Sequence, residues 1–484
     1  MGSYAHPGRL ARARGEASEN LPARRRDAPR GVVDTGERGG YVARVVFRGY
    51  AFVRALARAL LRTQYRKIEI TGLARVPANG PLLVVANHFN SLVDSLAVLV
   101  ACPREVSPLA KAPLFSNRLL RPFLRAAGAV PVHRSDESPG GGRGVRAHAA
   151  MLEACRARLA AGGALTMFPE GVSQPRPRLM PLRAGAAHVA LSLDAPVWVV
   201  PLGLVYEPPD RRRGTLLARF GEPFRADGSA AGPRRPAAIA LTRRIEESLR
   251  SLLAEAESLG DLEALRILEA VVAQERGASE TTLEDRHAAL RGFAQGLAGL
   301  RRRHPEVVDE IRAEVDAFRR ELALAGIRPD VLDEAYSPGR VARFLLLHGA
   351  LLLLGAPLAI AAAVLTWPVR ALGDVVFTRL GRATEDVWAL HRMAGEALIL
   401  LACSVAVAVV LALLWAPWAG FTGLLLIPLL FAFQVLWRDW REHVRVRVRA
   451  FLLLAGGAMR KDLLRRRRAL FDRVVEASKL VGSR

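Results

Sequence analysis

From residue 65 to residue 224 the chain switches repeatedly between short apolar runs and stretches with apolar residues three or four apart. The runs "KIEITG", "PLLVVAN", "GAVPVHR", "ALTMF", "APVWVVPLGLVY" and "TLLARFGEPF" read as strands. Helices are expected from Ser91, near 145–160 and from Gly185. Strands alternating with helices predict an α/β domain with a mostly parallel sheet, placed over 65–232. Over 233–340 the strand signal stops, and segments such as "EVVDEIRAEVDAFRRELALAG" predict an all-α extension. Three apolar segments follow within 341–440, at 344–367, 397–415 and 420–437. Each is long enough for ~30 Å of hydrocarbon, so C-terminal hydrophobic membrane helices are expected. Trp415, Trp418 and Trp437 suit membrane interfaces.

The flanks are basic. Residues 41–64 carry Arg44, Arg48, Arg54, Arg58 and Arg62 on one helical stripe, with apolar residues filling the rest. Such a helix can lie in a bilayer interface, or pack on its own domain with the arginines outward. Residues 1–40, rich in Arg, Gly, Ala and Pro, read as a disordered basic arm without a signal-peptide core. Residues 441–484 read as a basic helical tail, which next to a membrane span stays cytosolic. Three full spans would put that tail opposite the α/β domain. Gly355 and Pro357, however, divide the first apolar segment. One re-entrant hairpin plus two spans is therefore expected.

Lys and Arg number 70 against 46 Asp and Glu, a net charge of +24. Such an excess attracts nucleic acid or an anionic lipid surface. Aromatic residues are sparse near the basic clusters, and the clusters flank apolar segments. Lipid headgroups are thus favoured as partners and nucleic acid is not expected. The three cysteines, Cys102, Cys155 and Cys403, have no CxxC spacing, which speaks against a disulfide framework or a zinc site and suits a cytosol-facing protein.

Candidate chemistry begins where the strand "PLLVVAN" meets His88, with Asp94 six residues on. Six helical residues turn about 240°, so the two cannot share a helix face. If His88 sits in the turn and Asp94 in the first turn of the next helix, the carboxylate fixes the imidazole tautomer and frees the other nitrogen as a base. Alternatively Ser91 and Asp94 form a capping box and His88 only closes the turn. A second stretch, "FPEGVSQPRPRLMPLRAG", places Glu170 and Gly171 just after a strand, where backbone N–H groups can approach an anion and Glu170 can receive hydroxyls. Arg176, Arg178 and Arg183 add positive charge there, or are ordinary loop decoration. Arg134, at the end of "GAVPVHR", suits a phosphate or an ion pair with Asp136. No G-x-S-x-G elbow is present, which counts against a serine hydrolase.

Together, "NHFNSLVD", "GAVPVHR", "FPEGVS" and "VVPLGL" resemble, in order and spacing, the four blocks of the glycerophospholipid acyltransferase superfamily, over about residues 65–225. The five residues between His88 and Asp94, one more than the family's commonest spacing, resemble the branch of glycerol-3-phosphate/dihydroxyacetone-phosphate acyltransferases and their bacterial relatives. Gln174 and Pro175 stand where that branch has His-Asp. The resemblance implies that His88 takes a proton from an acceptor hydroxyl and that Asp94 orients His88. It implies Arg134, Glu170, Gly171 and Ser173 on the acceptor, with Lys111 and Arg183 as further phosphate contacts, and Pro201 and Gly203 beside the acyl donor. The implied donor is acyl-CoA or acyl-carrier protein, and the implied acceptor is glycerol 3-phosphate, 1-acylglycerol 3-phosphate or another lysophospholipid. No metal or organic cofactor is implied. The implied location is a bacterial inner membrane, with the catalytic domain facing the cytoplasm.

Overall fold

The computed structural model describes residues 36–118, 120–132, 141–207, 214–229, 234–277, 282–327, 329, 332, 338–367, 371–372, 388–454 and 457–482. Eight strands form one sheet: β1 (Tyr65–Thr71), β2 (Leu82–Ala86), β3 (Val106–Lys111), β4 (Val130–Val132), β5 (Ala164–Met167), β6 (Val197–Glu207), β7 (Gly214–Phe220) and β8 (Phe224–Ala226). Their order is β1-β7-β6-β2-β5-β3-β4, with β8 also on β6. All pairings are parallel except β6 with β7 and β6 with β8. The mostly parallel sheet is as expected.

The sheet is covered on both faces, and this follows from the period-two geometry of strands. In β2, Leu82, Val84 and Ala86 pack with Tyr50, Ala57 and Leu61 of α1 (Gly36–Gln64) and with α2 (Ser91–Ala101). Leu83 and Val85 point the other way, toward α4 (Gly141–Ala160), α5 (Gly185–Ala190) and α6 (Arg234–Arg250). A short α3 (Arg121–Ala126) lies between β3 and β4. Two expected boundaries differ. Helix α1 begins at Gly36 rather than at residue 41; the rest of the expected arm, residues 1–35, lies outside the described residues. Helix α6 was assigned to the extension, but Ala238, Leu241, Ile245 and Leu249 belong to the core under the sheet. An amphipathic pattern shows that a helix has an apolar face, not what that face packs on.

The extension proper is α7 (Leu259–Glu275), α8 (Leu283–Arg303) and α9 (Pro305–Ala325). Ser258 and Thr282 cap the first two through their side chains. Next come α10 (Pro338–Leu365), α11 (Trp388–Leu414), α12 (Pro417–Leu454) and α13 (Ala458–Gly482). Val341–Leu365 and Pro417–Leu453 are long and apolar enough to cross a membrane. The expected division of the first segment is absent: α10 runs unbroken past Gly355 and Pro357. Gly355 serves close packing instead, since a Cβ there would collide with the Trp437 ring of α12.

The tail is not a separate basic appendage. Leu463, Leu470 and Ala477 of α13 share one core with Val308, Ile311 and Val315 of α9 and with Leu268 and Val271 of α7. Arg467 Nε stands 2.8 Å from Glu275, and Arg468 NH1 2.9 Å from the same carboxylate. Both flanks of the apolar region thus end in one helical body.

Candidate active site

β2 lies between β5 and β6, and its carboxyl end delivers His88 to the edge where open α/β sheets present ligands. The strand is followed by Asn87, whose amide exchanges two hydrogen bonds with the Leu204 backbone, at 3.0 and 2.8 Å, and fixes where the chain leaves the sheet. The imidazole stacks on Phe168 with ring centroids 4.1 Å apart. Its Nδ1 donates to Asp94 Oδ2 at 2.8 Å, which leaves Nε2 as the basic nitrogen.

Asp94 is fully buried, while the His88 side chain is 17% exposed. The carboxylate gathers three donors: His88 Nδ1, the Asn90 backbone N–H at 2.7 Å and the Tyr206 hydroxyl on the other oxygen. Burial, then the Asp94 charge, raises the Tyr206 hydroxyl far above its usual value, so it stays protonated and donates. Burial likewise raises Tyr65, whose hydroxyl accepts from Asn90 Nδ2 at 3.2 Å. The capping-box alternative does not hold. Asn90 is the N-cap residue and makes no side-chain cap bond. Ser91 takes φ +45°, the one non-glycine residue among those described with positive φ. That backbone costs on the order of 1 kcal/mol, and the Ser91 N–H is held by Ser173 Oγ at 2.8 Å.

The FPEG loop lies beneath His88. Glu170 accepts from the His88 N–H at 2.6 Å with one oxygen and from the Met180 N–H at 3.0 Å with the other. Burial pushes its carboxyl above the usual carboxylate range, against the pull of those two donors. Glu170 and Ser173, expected on the acceptor, both hold backbone N–H groups around His88. Gly171 has φ +72°, and a Cβ there would sit 2.9 Å from Arg183 Cδ, so the glycine lets the Arg183 side chain cross the loop. Lys111 is exposed at the carboxyl end of β3, on the same sheet edge as His88. Arg134 lies outside the described residues. Pro201 and Gly203 are buried within β6, Pro201 against Gly221 and Gly203 against Leu252. They are not brought to the cleft; Leu204, Val205 and Tyr206 of the same strand are.

The cleft runs from His88 past Gln174, Arg176 and Arg178 to Leu262 and Arg266 of α7 and to His287 and Leu290 of α8. Tyr206 was legible only as a core residue. The available signal was that a buried phenol needs a hydrogen-bond partner. His287 gave no signal, being one polar residue within an amphipathic helix.

Burial lowers His287 from 6.5 to about 4. Between those values the unfolded chain binds a proton that the folded one does not. Stability from this group is therefore full above pH 6.5 and is lost as pH falls through about 4. Urea midpoints of the wild type should fall between neutral and mildly acidic pH more than those of His287→Leu. Equal falls in both would refute the assignment.

Residues 67–205 match the protein-family model described as Acyltransferase. An uncharacterized acyltransferase of Schizosaccharomyces pombe is 25% identical over 297 residues, covering 43% of this chain and 44% of that protein. Glycerol-3-phosphate O-acyltransferase 2 of Saccharomyces cerevisiae is 31% identical over 118 residues, 22% of this chain and 15% of that protein. The human 1-acyl-sn-glycerol-3-phosphate acyltransferase alpha is 27% identical over 131 residues, 27% of this chain and 44% of that protein. The chain thus spans less than half the length of each of these relatives. Over residues 67–205 the domain built around His88 is thus similar to acyltransferases.

Proposed function

We propose that this chain moves a fatty-acyl group from a thioester, acyl-CoA or acyl-carrier protein, to a hydroxyl of a glycerol-phosphate acceptor at a membrane surface. The observation that carries the proposal is the His88–Asp94 pair, 2.8 Å apart, with Asp94 buried and His88 open to the cleft. His88 Nε2 takes the hydroxyl proton as the oxygen attacks the thioester carbonyl. Collapse of the tetrahedral intermediate breaks the C–S bond, and the proton passes from His88 to the departing thiolate. One ester forms, one thioester is consumed and one thiol leaves. The steps use base, position and hydrogen-bond donors, without a metal or organic cofactor.

Two acceptors fit. The His88–Asp94 spacing and the yeast relative's name support glycerol 3-phosphate, while the human relative's name supports 1-acylglycerol 3-phosphate. Lys111 and Arg183 offer positive charge for the phosphate in either case, Arg183 from across Gly171. The test is thiol release by membranes containing the chain, with each acceptor in turn. Release that depends on one acceptor supports the proposal and selects the substrate. Release that ignores both acceptors contradicts it.

A membrane setting is supported by the apolar surface of α10 to α12, where Leu346, Leu354, Leu413 and Trp418 are all exposed. Apolar surface on that scale needs a cover, and lipid is a fitting one. The packing of α13 on α7 and α9 supports both flanks lying on one side, and with it an even number of crossings. In a Cys403→Ser background, Ser251→Cys and Ser478→Cys should react with an impermeant thiol reagent from the same side. Labelling from opposite sides would refute the even count.

A further inference from the structure

The family match ends at residue 205, yet the loop that follows FPEG is held from beyond it, by the strap of residues 251–258 between α6 and α7. We infer that Glu255 in this strap is a positioning residue for the reaction: it fixes the loop that carries the backbone supports of His88 and presents Arg176 and Arg178 to an anionic acceptor. This inference rests on the acyl-transfer reading and says what sets its geometry from outside the matched region.

The loop cannot hold itself. Pro175, Pro177 and Pro181 have no N–H to donate. The N–H groups that remain must find acceptors wherever they are buried. Leu179 is 4% exposed, and its N–H donates to Glu255 Oε1 at 2.8 Å. The Pro177 carbonyl accepts from the Ala256 N–H at 2.8 Å. The strap thus clamps the loop on both sides of Arg178.

The clamp reaches the base through neighbouring peptides. Next to Leu179, the Met180 N–H donates to Glu170 Oε2, and Glu170 Oε1 accepts from the His88 N–H. At the other end of the loop, the Gln174 N–H donates to the His88 carbonyl at 3.1 Å. Both the N–H and the carbonyl of His88 are therefore tied to this loop. Between the ties lie Arg176 and Arg178, exposed and on the cleft lining.

Glu255 is itself held in place. Arg250, in the last turn of α6, donates through NH1 to both of its oxygens, at 2.6 and 2.5 Å. The same guanidinium donates through Nε and NH2 to Glu246 at 3.1 and 2.9 Å. From the other side, His287 Nε2 donates to the Leu252 carbonyl at 2.9 Å and Arg291 to the Ser251 carbonyl, so α8 fastens the start of the strap. A frame supported by two helices resists displacement. A shift of about 1 Å at a reacting centre costs about 10²-fold, so Glu255 acts on the rate without touching substrate.

The test uses the full chain in membranes, with saturating acyl thioester and the acceptor varied. Glu255→Ala should lower kcat/KM for the acceptor about 10²-fold, through both a lower kcat and a higher KM. Glu255→Gln keeps an oxygen for the Leu179 N–H and should return to within about threefold of the wild type. Arg250→Met breaks the ion pair but leaves the carboxylate at Leu179, and should lose less than about tenfold. Equal losses in Glu255→Ala, Glu255→Gln and Arg250→Met would overturn the inference. So would a loss in Glu255→Ala that matches its unfolded fraction and leaves KM unchanged.

Hydrogen exchange separates the clamp from the reaction. The Leu179 and Met180 amides should exchange about tenfold or more faster in Glu255→Ala, with β2 and β5 at wild-type rates. Faster exchange there, in a protein whose wild type transfers no acyl group, would keep the clamp and reject the reaction. Unchanged exchange and unchanged kcat/KM, in a protein whose wild type does transfer, would reject the clamp. If Glu255→Ala does not fold, Glu255→Met fills the same space without an acceptor oxygen and replaces it in both measurements. Failure of both to fold would show that Glu255 holds the fold rather than the reaction, and overturns the inference.

Discussion

His88→Ala should reduce acyl transfer by about 10²- to 10⁴-fold, the range over which a positioned general base accelerates proton transfer. The loss should fall on kcat, because the proposed base acts on the reacting hydroxyl rather than on a substrate charge. Folding should survive. His88 is partly exposed, and removing it leaves Asp94 with the Asn90 N–H and the Tyr206 hydroxyl as donors. Steady-state rates and a thermal melt on the same preparation check both statements. A variant within tenfold of wild-type kcat would falsify the base assignment. A variant that melts far below the wild type would show that His88 holds the turn rather than the reaction.

Asp94→Asn should cost nearly as much in rate and more in stability. The carboxylate is fully buried and accepts from His88, Asn90 and Tyr206. An amide has one acceptor oxygen, and its NH2 would face donors. Leaving a buried donor unpaired costs about 1–3 kcal/mol. With an N–H facing His88 Nδ1, the imidazole is driven to the other tautomer and its proton moves to Nε2, where the base is needed. Loss of the right tautomer in this kind of pair slows hydroxyl activation by about 10⁴-fold where the same geometry serves a serine nucleophile. A fall in kcat of about 10³-fold or more, with KM little changed, is expected. Tyr206→Phe removes only one donor to Asp94, so its rate should lie between those of Asp94→Asn and the wild type. If Asp94→Asn keeps wild-type kcat, Asp94 is a structural carboxylate only.

The alternation of strands and helices was readable because each strand face buries every second residue, and β2 carries that pattern without interruption. The pairing of His88 with Asp94 was readable too, because a turn after a strand is a short and predictable geometry. What each residue does with its partners was less accessible. Glu170 was read as an acceptor contact because a carboxylate beside a glycine turn suggests a ligand; its bonds to the His88 and Met180 N–H groups depend on loop geometry that the sequence does not display. Tyr206 lies 112 residues from Asp94 along the chain, and only the register of β6 beside β2 brings them together. The docking of α13 on α9 was hidden for another reason. Its arginines read as a basic cytosolic tail, and ion pairs such as Arg467 with Glu275 depend on where two distant helices meet. Gly355 looked like a break because glycine weakens an isolated helix, while in the fold it admits the Trp437 ring.

The most direct measurement is the fate of a labelled acyl group. Acyl-labelled thioester is mixed with membranes carrying the wild type or His88→Ala, with glycerol 3-phosphate or 1-acylglycerol 3-phosphate present, and the lipid products are separated. The account predicts label in a new glycerol ester, one thiol released per ester, and neither product from His88→Ala. Label recovered only as free fatty acid, or an ester formed equally well by His88→Ala, would contradict it.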